Sequence, residues 1–234
     1  MVVGEFAFTD FYHQFMVIEA DDLTERCKDI VDVKEDDCFA LVSSYIAKDG
    51  LLEFNVLGIG NKWDDCHKGL DDNRMLGIFS IDEVVDKEAI MVDPTYRLIE
   101  KNADWVEATD SQFDEDIVKT RFDARLDHLR DIFYPDVVLA GIVINHMILE
   151  YDIRITGIRG PFLMGTIEEE PHQGLGIHID DPVWALPYAI GDECRLFAMF
   201  AGEDLSEDEK KALDKIVKEM TKVGITFNGV SFRN

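Results

Sequence analysis

Histidines and carboxylates crowd one stretch of this chain: Glu168, Glu169, Glu170, His172, His178, Asp180 and Asp181. Imidazole and carboxylate side chains are the usual holders of divalent cations. His172, His178, Asp180 and Asp181 are therefore the candidate metal ligands, and metal-assisted hydrolysis is the chemistry they would support. His178-Ile179-Asp180 also forms the front half of a non-haem iron facial triad. The distal histidine of that triad normally follows later in the chain, and His178 is the last histidine here. An earlier one, His146, would serve only by an unusual topology. The spacing matches no tight ligand motif, so the competing reading is an acidic loop with two solvated histidines.

A second candidate is Cys66-His67, a thiol beside a base. Adjacent residues rarely point at each other, and Asp64 and Asp65 oppose thiolate formation. Arg121, Arg125 and Arg130 alternate with Asp123, Asp127 and Asp131 at spacings that make intrahelical ion pairs. The recurrent catalytic and nucleotide motifs fail one by one. Gly58-Ile59-Gly60 has Trp63 where a dinucleotide loop needs glycine, and Gly174-Leu175-Gly176 has Ile179 there. Asp71-Asp72-Asn73 opens like a calcium loop but meets Leu76 at the glycine position. No phosphate-cradling loop, nucleophile elbow or HExxH is present. No catalytic residue and no cofactor-binding residue is assigned, and the chain reads as non-enzymatic.

The composition frames these groups. The chain has 234 residues and a net charge of −26, from 49 acids and 23 bases. Residues 1–117 carry 29 acids against 10 bases, so the N-terminal half is the more anionic. Such a field repels phosphate backbones and anionic lipid, which excludes direct nucleic-acid and membrane binding as expectations and favours a basic protein partner. With 47% apolar residues and 15 phenylalanines there is material for a core. Cys27, Cys38, Cys66 and Cys194 are scattered, with no CxxC, and Cys38 and Cys194 read as small core hydrophobes. The opening residues lack a basic leader and an apolar segment of signal-peptide type. The longest apolar run, Val137 to Leu149, is too short to span a bilayer. A cytoplasmic protein with reduced thiols is expected.

The elements that must position these residues follow from periodicity. Phe6 to Ile18 suits one or two strands, and Asp22 caps a helix from Leu23 to about Val31. Cys38 to Gly60 is a hairpin about Lys48-Asp49-Gly50. Met75 to Phe79 is a strand, and Ser80 with Glu83 forms a capping box for a helix to about Ala89. A polar stretch from Asn102 to Ser111 reads as a linker. The longest helix is expected from Ser111 to Phe133, on the stripe Phe113, Ile117, Phe122, Leu126, Leu129 and Phe133. Strands follow at Val137–Met147, Ile148–Ile158, Phe162–Ile167, Gly176–Ile179 and Cys194–Phe200. A last helix begins at Ser206, and a strand pair surrounds Asn228-Gly229. Strands in runs without a regular βαβ beat argue an α+β fold with mainly antiparallel sheets and packed helices in two sub-domains. The expected division is an acidic N-terminal α+β domain, 1–106, and a C-terminal α+β domain, 107–234.

The run Tyr134-Pro135-Asp136, the strands after it, and the corner Gly165-Thr166-Ile167-Glu168-Glu169-Glu170-Pro171, followed by Gln173 and Gly176, resemble a group of uncharacterised bacterial β-rich domains. These carry a Gly-x-Leu/Ile-x-Asn/Glu-Glu-Pro corner and often accompany toxin–immunity systems. The sequence departs from the pattern at Asp180-Asp181, where a Gly-Asp turn is usual, and at 181–188, which reads as an insertion. The resemblance implies a small β-rich domain with no assigned chemistry. Together with the charge, it makes immunity-type binding of a basic partner the leading expectation. The metal-assisted hydrolase is one alternative, and a structural or oligomeric accessory protein is another.

Overall fold

Alternation of side chains along Phe15-Met16-Val17-Ile18 decides the first half of the structure, a computed structural model. It describes residues 1–30, 32–63, 66, 75–93, 95–144, 147–160, 162–170, 177–190 and 193–200. A strand turns successive residues to opposite faces. Here both faces are apolar, so both must be covered. Strand β1 (Phe15–Glu19) pairs antiparallel with β2 (Phe39–Ile46) and β5 (Ala89–Val92). β2 continues to β3 (Leu52–Gly60) and β3 to β4 (Gly77–Ser80), giving the order β4-β3-β2-β1-β5. The β2–β3 hairpin closes as expected, with Gly50 at φ 92°.

One face of this sheet, with Met16, Ile18, Val42, Phe54 and Val56, packs against the N-terminal segment and the short helix α1 (Phe8–Phe11). The other face carries Phe15, Val17, Leu41 and Leu57. Each such side chain contributes about 1.5–3 kcal/mol on burial. Helix α2 (Ile81–Val84) has the anticipated box, with Glu83 accepting from the Ser80 N–H at 3.0 Å. It ends at Val84, earlier than expected, because Ala89–Val92 is drawn into the sheet as β5.

The helical region is the main correction. The expected linker is helix α3 (Tyr96–Asp110), capped by the Thr95 side chain accepting from Leu98 N at 3.3 Å. The expected long helix is broken into α4 (Glu115–Arg121) and a 3-10 turn at Ala124–Leu129. α3 was hidden because its buried face holds Asn102 and Thr109 beside Leu98, so no apolar period is visible. Asp114 begins α4 afresh by accepting from Asp116 N at 2.8 Å. The helix expected at Leu23 is a 3-10 turn at Thr24–Cys27.

The second half is a closed five-stranded barrel in the order β10-β6-β7-β8-β9. Its strands are β6 (Val137–Ile144), β7 (Met147–Arg159), β8 (Phe162–Ile167), β9 (Pro182–Ile190) and β10 (Glu193–Phe200). All neighbours pair antiparallel except β10 with β6, because a meander with an odd number of strands can close only through a parallel pair. Val138, Ile153 and Ile167 form one buried row, and Leu163, Ala185 and Ala198 form another. The first row is of large residues and the second pairs one leucine with two alanines, small side chains that fit a narrow barrel. β9 falls in the apparent insertion, where two prolines masked a strand. The strand expected at Gly176–Ile179 is not formed at 177–179, and Gly176 lies outside the described residues. The helix from Ser206 and the final strand pair lie outside the described residues.

The class is thus α+β with mainly antiparallel pairing. The chain divides into Met1–Asp127 with Ile132–Pro135, and His128–Asp131 with Asp136–Asn234, later than the expected 106/107 boundary. The shift follows α3, which packs on β2 and so belongs to the first unit. Among the described residues no helix is long and apolar enough to cross a membrane.

Candidate functional site

The carboxylates and histidines singled out by sequence make a turn. Glu170 Oε1 lies 2.9 Å from His178 Nδ1, and Glu170 Oε2 accepts from the Ile179 N–H at 3.0 Å. Asp181 Oδ2 accepts from the His178 N–H at 2.7 Å, and Asp180 adopts φ 66°. The Glu170 hydrogen bond and charge raise the pKa of the His178 imidazole. The Ile179 N–H and His178 hold the Glu170 carboxyl low. His178, Asp180 and Glu170 are exposed, and the polar atoms of Glu170, His178 and Asp181 serve the backbone and each other. His172 lies outside the described residues. Among the described residues no group of three or more His, Cys, Asp or Glu side chains is placed to hold a metal ion. Glu168 forks onto Arg154 through its Nε at 2.8 Å and its Nη2.

Cys66 is buried against Phe15, Leu41 and Leu98, with its thiol 3.5 Å from Lys62 O. His67 lies outside the described residues. All four cysteines are free, and the fully buried ones are Cys27 and Cys66, whereas Cys38 and Cys194 are half-buried. Burial and then the charge of Glu19, Asp21, Asp36 and Asp37 push the Cys38 thiol up, the opposite of activation.

Four ionisable side chains that sequence reading did not connect do converge. Arg121, 0% exposed, ends α4. Its Nη1 donates to Tyr12 Oη at 3.1 Å and lies 3.5 Å from Asp110 Oδ1 at the end of α3. Tyr12 Oη donates to the same Asp110 oxygen at 2.9 Å. His13 stacks on Tyr12 with centroids 3.8 Å apart, and its Nε2 stands 3.4 Å from Asp110 Oδ1. The guanidinium also lies 4.0 Å from the Phe113 ring centre. His13 adopts φ 58°, an uncommon conformation for a residue with Cβ. The turn is pinned by its N–H donating to Ser44 Oγ at 3.2 Å and by Ser44 Oγ donating to Phe11 O at 2.7 Å.

Burial pushes the Asp110 carboxyl up, but His13, Tyr12 and Arg121 outweigh it and hold it below the ordinary range. Burial raises the Tyr12 phenol above its usual value, so it stays a donor. Tyr12, Arg121 and Asp110 satisfy one another with only Asp110 partly exposed, and the buried His13 Nε2 approaches Asp110 without a hydrogen bond, so the constellation acts as a clamp joining the N-terminal turn to the ends of α3 and α4. Its members stand far apart in sequence, which left no local signal beyond the acid–base alternation around Arg121. That alternation resolves differently from the expected helical pairs. Arg125 forks onto Asp123 at 2.8 and 2.5 Å across the break after α4.

The accessible chemistry is on the surface of the first unit. The β1–β2 connection carries Asp21, Asp22, Glu25, Asp29, Asp32, Glu35, Asp36 and Asp37. Most nearby cations are already engaged: Arg26 with Glu83, Lys28 with Glu25, and Lys87 with Asp22 at 2.7 Å, whereas the exposed Lys34 forms no ion pair among the described residues. Asp36 and Asp37 accept from Asn61 Nδ2 and Lys34 N, each at 2.8 Å, and stiffen the connection. Asp29, Asp32 and Glu35 are exposed and meet no cation among the described residues. This arrangement attracts cations and cannot by itself transfer a group. Comparison with protein-family models, with curated proteins and with solved structures finds no match to this chain.

Proposed function

We propose that this protein is a non-enzymatic interaction domain whose acidic N-terminal unit engages a basic protein partner, in the manner of an immunity protein blocking a basic toxin. The observation that carries the reading is the set of exposed carboxylates on the β1–β2 connection, Asp29, Asp32 and Glu35, which outnumber Lys34, the one cation of that connection left unpaired among the described residues, while Arg26, Lys28 and Lys87 are already engaged. Complementary charge accelerates encounter and excludes partners of like charge, and its effect weakens as salt shortens the screening length. The net charge of −26 extends that field over the molecule. Free cysteines throughout suit a cytoplasmic setting.

The test is affinity capture from the native host at about 50 mM and about 300 mM salt, where screening differs more than twofold in range. A basic protein retained at low salt and released at high salt supports the reading. Recovery of no basic protein at low salt removes it.

A further inference from the structure

The helix α3 presents more polar and apolar order to solvent than its own packing needs. Its core-facing positions are Leu98, Asn102 and Thr109, which are buried. At 3.6 residues per turn, two further stripes follow around the helix, the first on its flank with Val106 half-buried and the second on the side away from the core. One is Ile99, Ala103 and Val106; the other, beside it, is Glu100, Asp104 and Glu107. Both repeat at i, i+4 and i+7, the spacing of one helix face. Ile99 is 51% exposed, Tyr96 at the head of the acidic stripe is 80% exposed, and Ala103 is exposed as well. Glu100, Asp104 and Glu107 are exposed and meet no cation among the described residues.

We propose that this outer face of α3 docks a basic amphipathic helix of the partner. The inference rests on the reading of a basic partner and assigns it a surface and a secondary structure. Ala103 at the centre of the apolar stripe lets a second helix approach at about 8–10 Å between axes. Ile99 and Val106 supply the apolar contacts on either side, and Tyr96 supplies an aromatic anchor at one end. The partner's Lys or Arg side chains, one stripe over from its own apolar residues, then meet Glu100, Asp104 and Glu107 in register. A second copy of this chain is the poorer occupant, because it would bring carboxylates against carboxylates and carries the same −26 charge.

The experiment uses the full chain and two synthetic, stapled helical peptides of about 20 residues, a length at which an unstapled helix is marginal. One has Leu at i, i+4 and i+7 with Arg on the adjacent stripe; the other has the same composition permuted around the helix. Affinity is read by fluorescence anisotropy at low salt, and circular dichroism verifies that each variant folds. The patterned peptide binds at least about tenfold more tightly than the permuted one. The combined Glu100→Lys, Asp104→Lys and Glu107→Lys variant also loses about tenfold or more, as three exposed pairs together allow. Ile99→Gln with Ala103→Gln weakens binding although no charge changes. Asp29→Lys, Asp32→Lys and Glu35→Lys on the β1–β2 connection weaken peptide binding less than the α3 reversal does, because they reach the peptide only through the long-range field.

Equal binding of the two peptides, or an unchanged affinity in Ile99→Gln with Ala103→Gln, overturns the docking face. Loss of binding only on reversal at the β1–β2 connection overturns it too, while leaving the basic-partner reading intact. Failure of both peptides to bind at low salt sinks both readings. Dimerisation of the wild-type chain that the Ile99→Gln, Ala103→Gln change abolishes assigns the face to a second copy, and so also refutes the proposal.

Discussion

Replacing Arg121 with Met tests whether the buried clamp holds the first unit together. Methionine fills much of the volume and keeps contact with Phe113, so the loss is mainly electrostatic. The guanidinium donates to Tyr12 Oη at 3.1 Å, stands 3.5 Å from Asp110 Oδ1 and lies 4.0 Å from the Phe113 ring centre. A hydrogen bond to a charged group contributes about 1.5–3 kcal/mol, and a desolvated cation–π contact about 2 kcal/mol. The methionine side chain returns about 1–2 kcal/mol in apolar burial. Asp110 remains 23% exposed and can recover some solvation, so breaking the pair costs less than a fully buried one. The net loss is about 2–4 kcal/mol.

Urea unfolding followed by tryptophan fluorescence measures that loss. Trp63 and Trp105 belong to the first unit and Trp184 to the second, so a Trp184→Phe background isolates the unit that carries the clamp. Linkage gives a second readout. The Asp110 carboxyl is held below its unfolded value, so its contribution is present above about pH 4 and is lost as pH falls through the folded value. The deficit of Arg121→Met therefore shrinks in acid. A variant within about 0.5 kcal/mol of wild type at neutral pH, the range of ordinary surface changes, would refute the clamp.

The remaining predictions concern single sites. Asp152 sits half-buried on β7, where burial and the charges of Glu169, Asp131 and Glu168 raise its pKa. The fold therefore disfavours its charged form. Asp152→Asn raises the Tm at pH 7 by about 1–3 °C, and the gain disappears below about pH 4, in a thermal scan against pH. Gly58→Ala places a Cβ 2.0 Å from the Cys66 carbonyl oxygen, so the backbone must move. It destabilises by about 1–3 kcal/mol in denaturant titration. In the barrel, Gly165→Ala sets a Cβ 2.7 Å from the Arg154 carbonyl and costs a similar amount, read through Trp184. Zinc or manganese in excess leaves the Tm unchanged, because a ligand stabilises only what it binds. A rise abolished by His178→Ala would instead support metal binding.

Local signals carried well wherever neighbours in sequence are also partners in space. Asp49-Gly50 fixed the β2–β3 hairpin, Ser80 and Glu83 the start of α2, and the Val137–Ile142 run a buried strand, because each depends on contacts a few residues apart. The α+β class followed from the spacing of such elements. The helix α3 was missed because its inward face is partly polar: Asn102 donates to Ser43 Oγ at 2.8 Å, and only the sheet beneath it supplies that partner. β9 was missed because Pro182 and Pro187 weaken a strand signal that pairing on both sides restores.

The sequence by itself determined the sign of the surface field and the scarcity of bases to offset it, since both are sums over residues. Only the tertiary structure decided which charges remain available. Folding consumed Arg121, Arg26 and Lys87 in pairs with residues remote in the chain and turned His178 and Asp181 to a backbone corner. It left Asp29, Asp32, Glu35 and the outer stripe of α3 facing water. Composition counts charges, whereas desolvation and distance decide which of them a partner can meet.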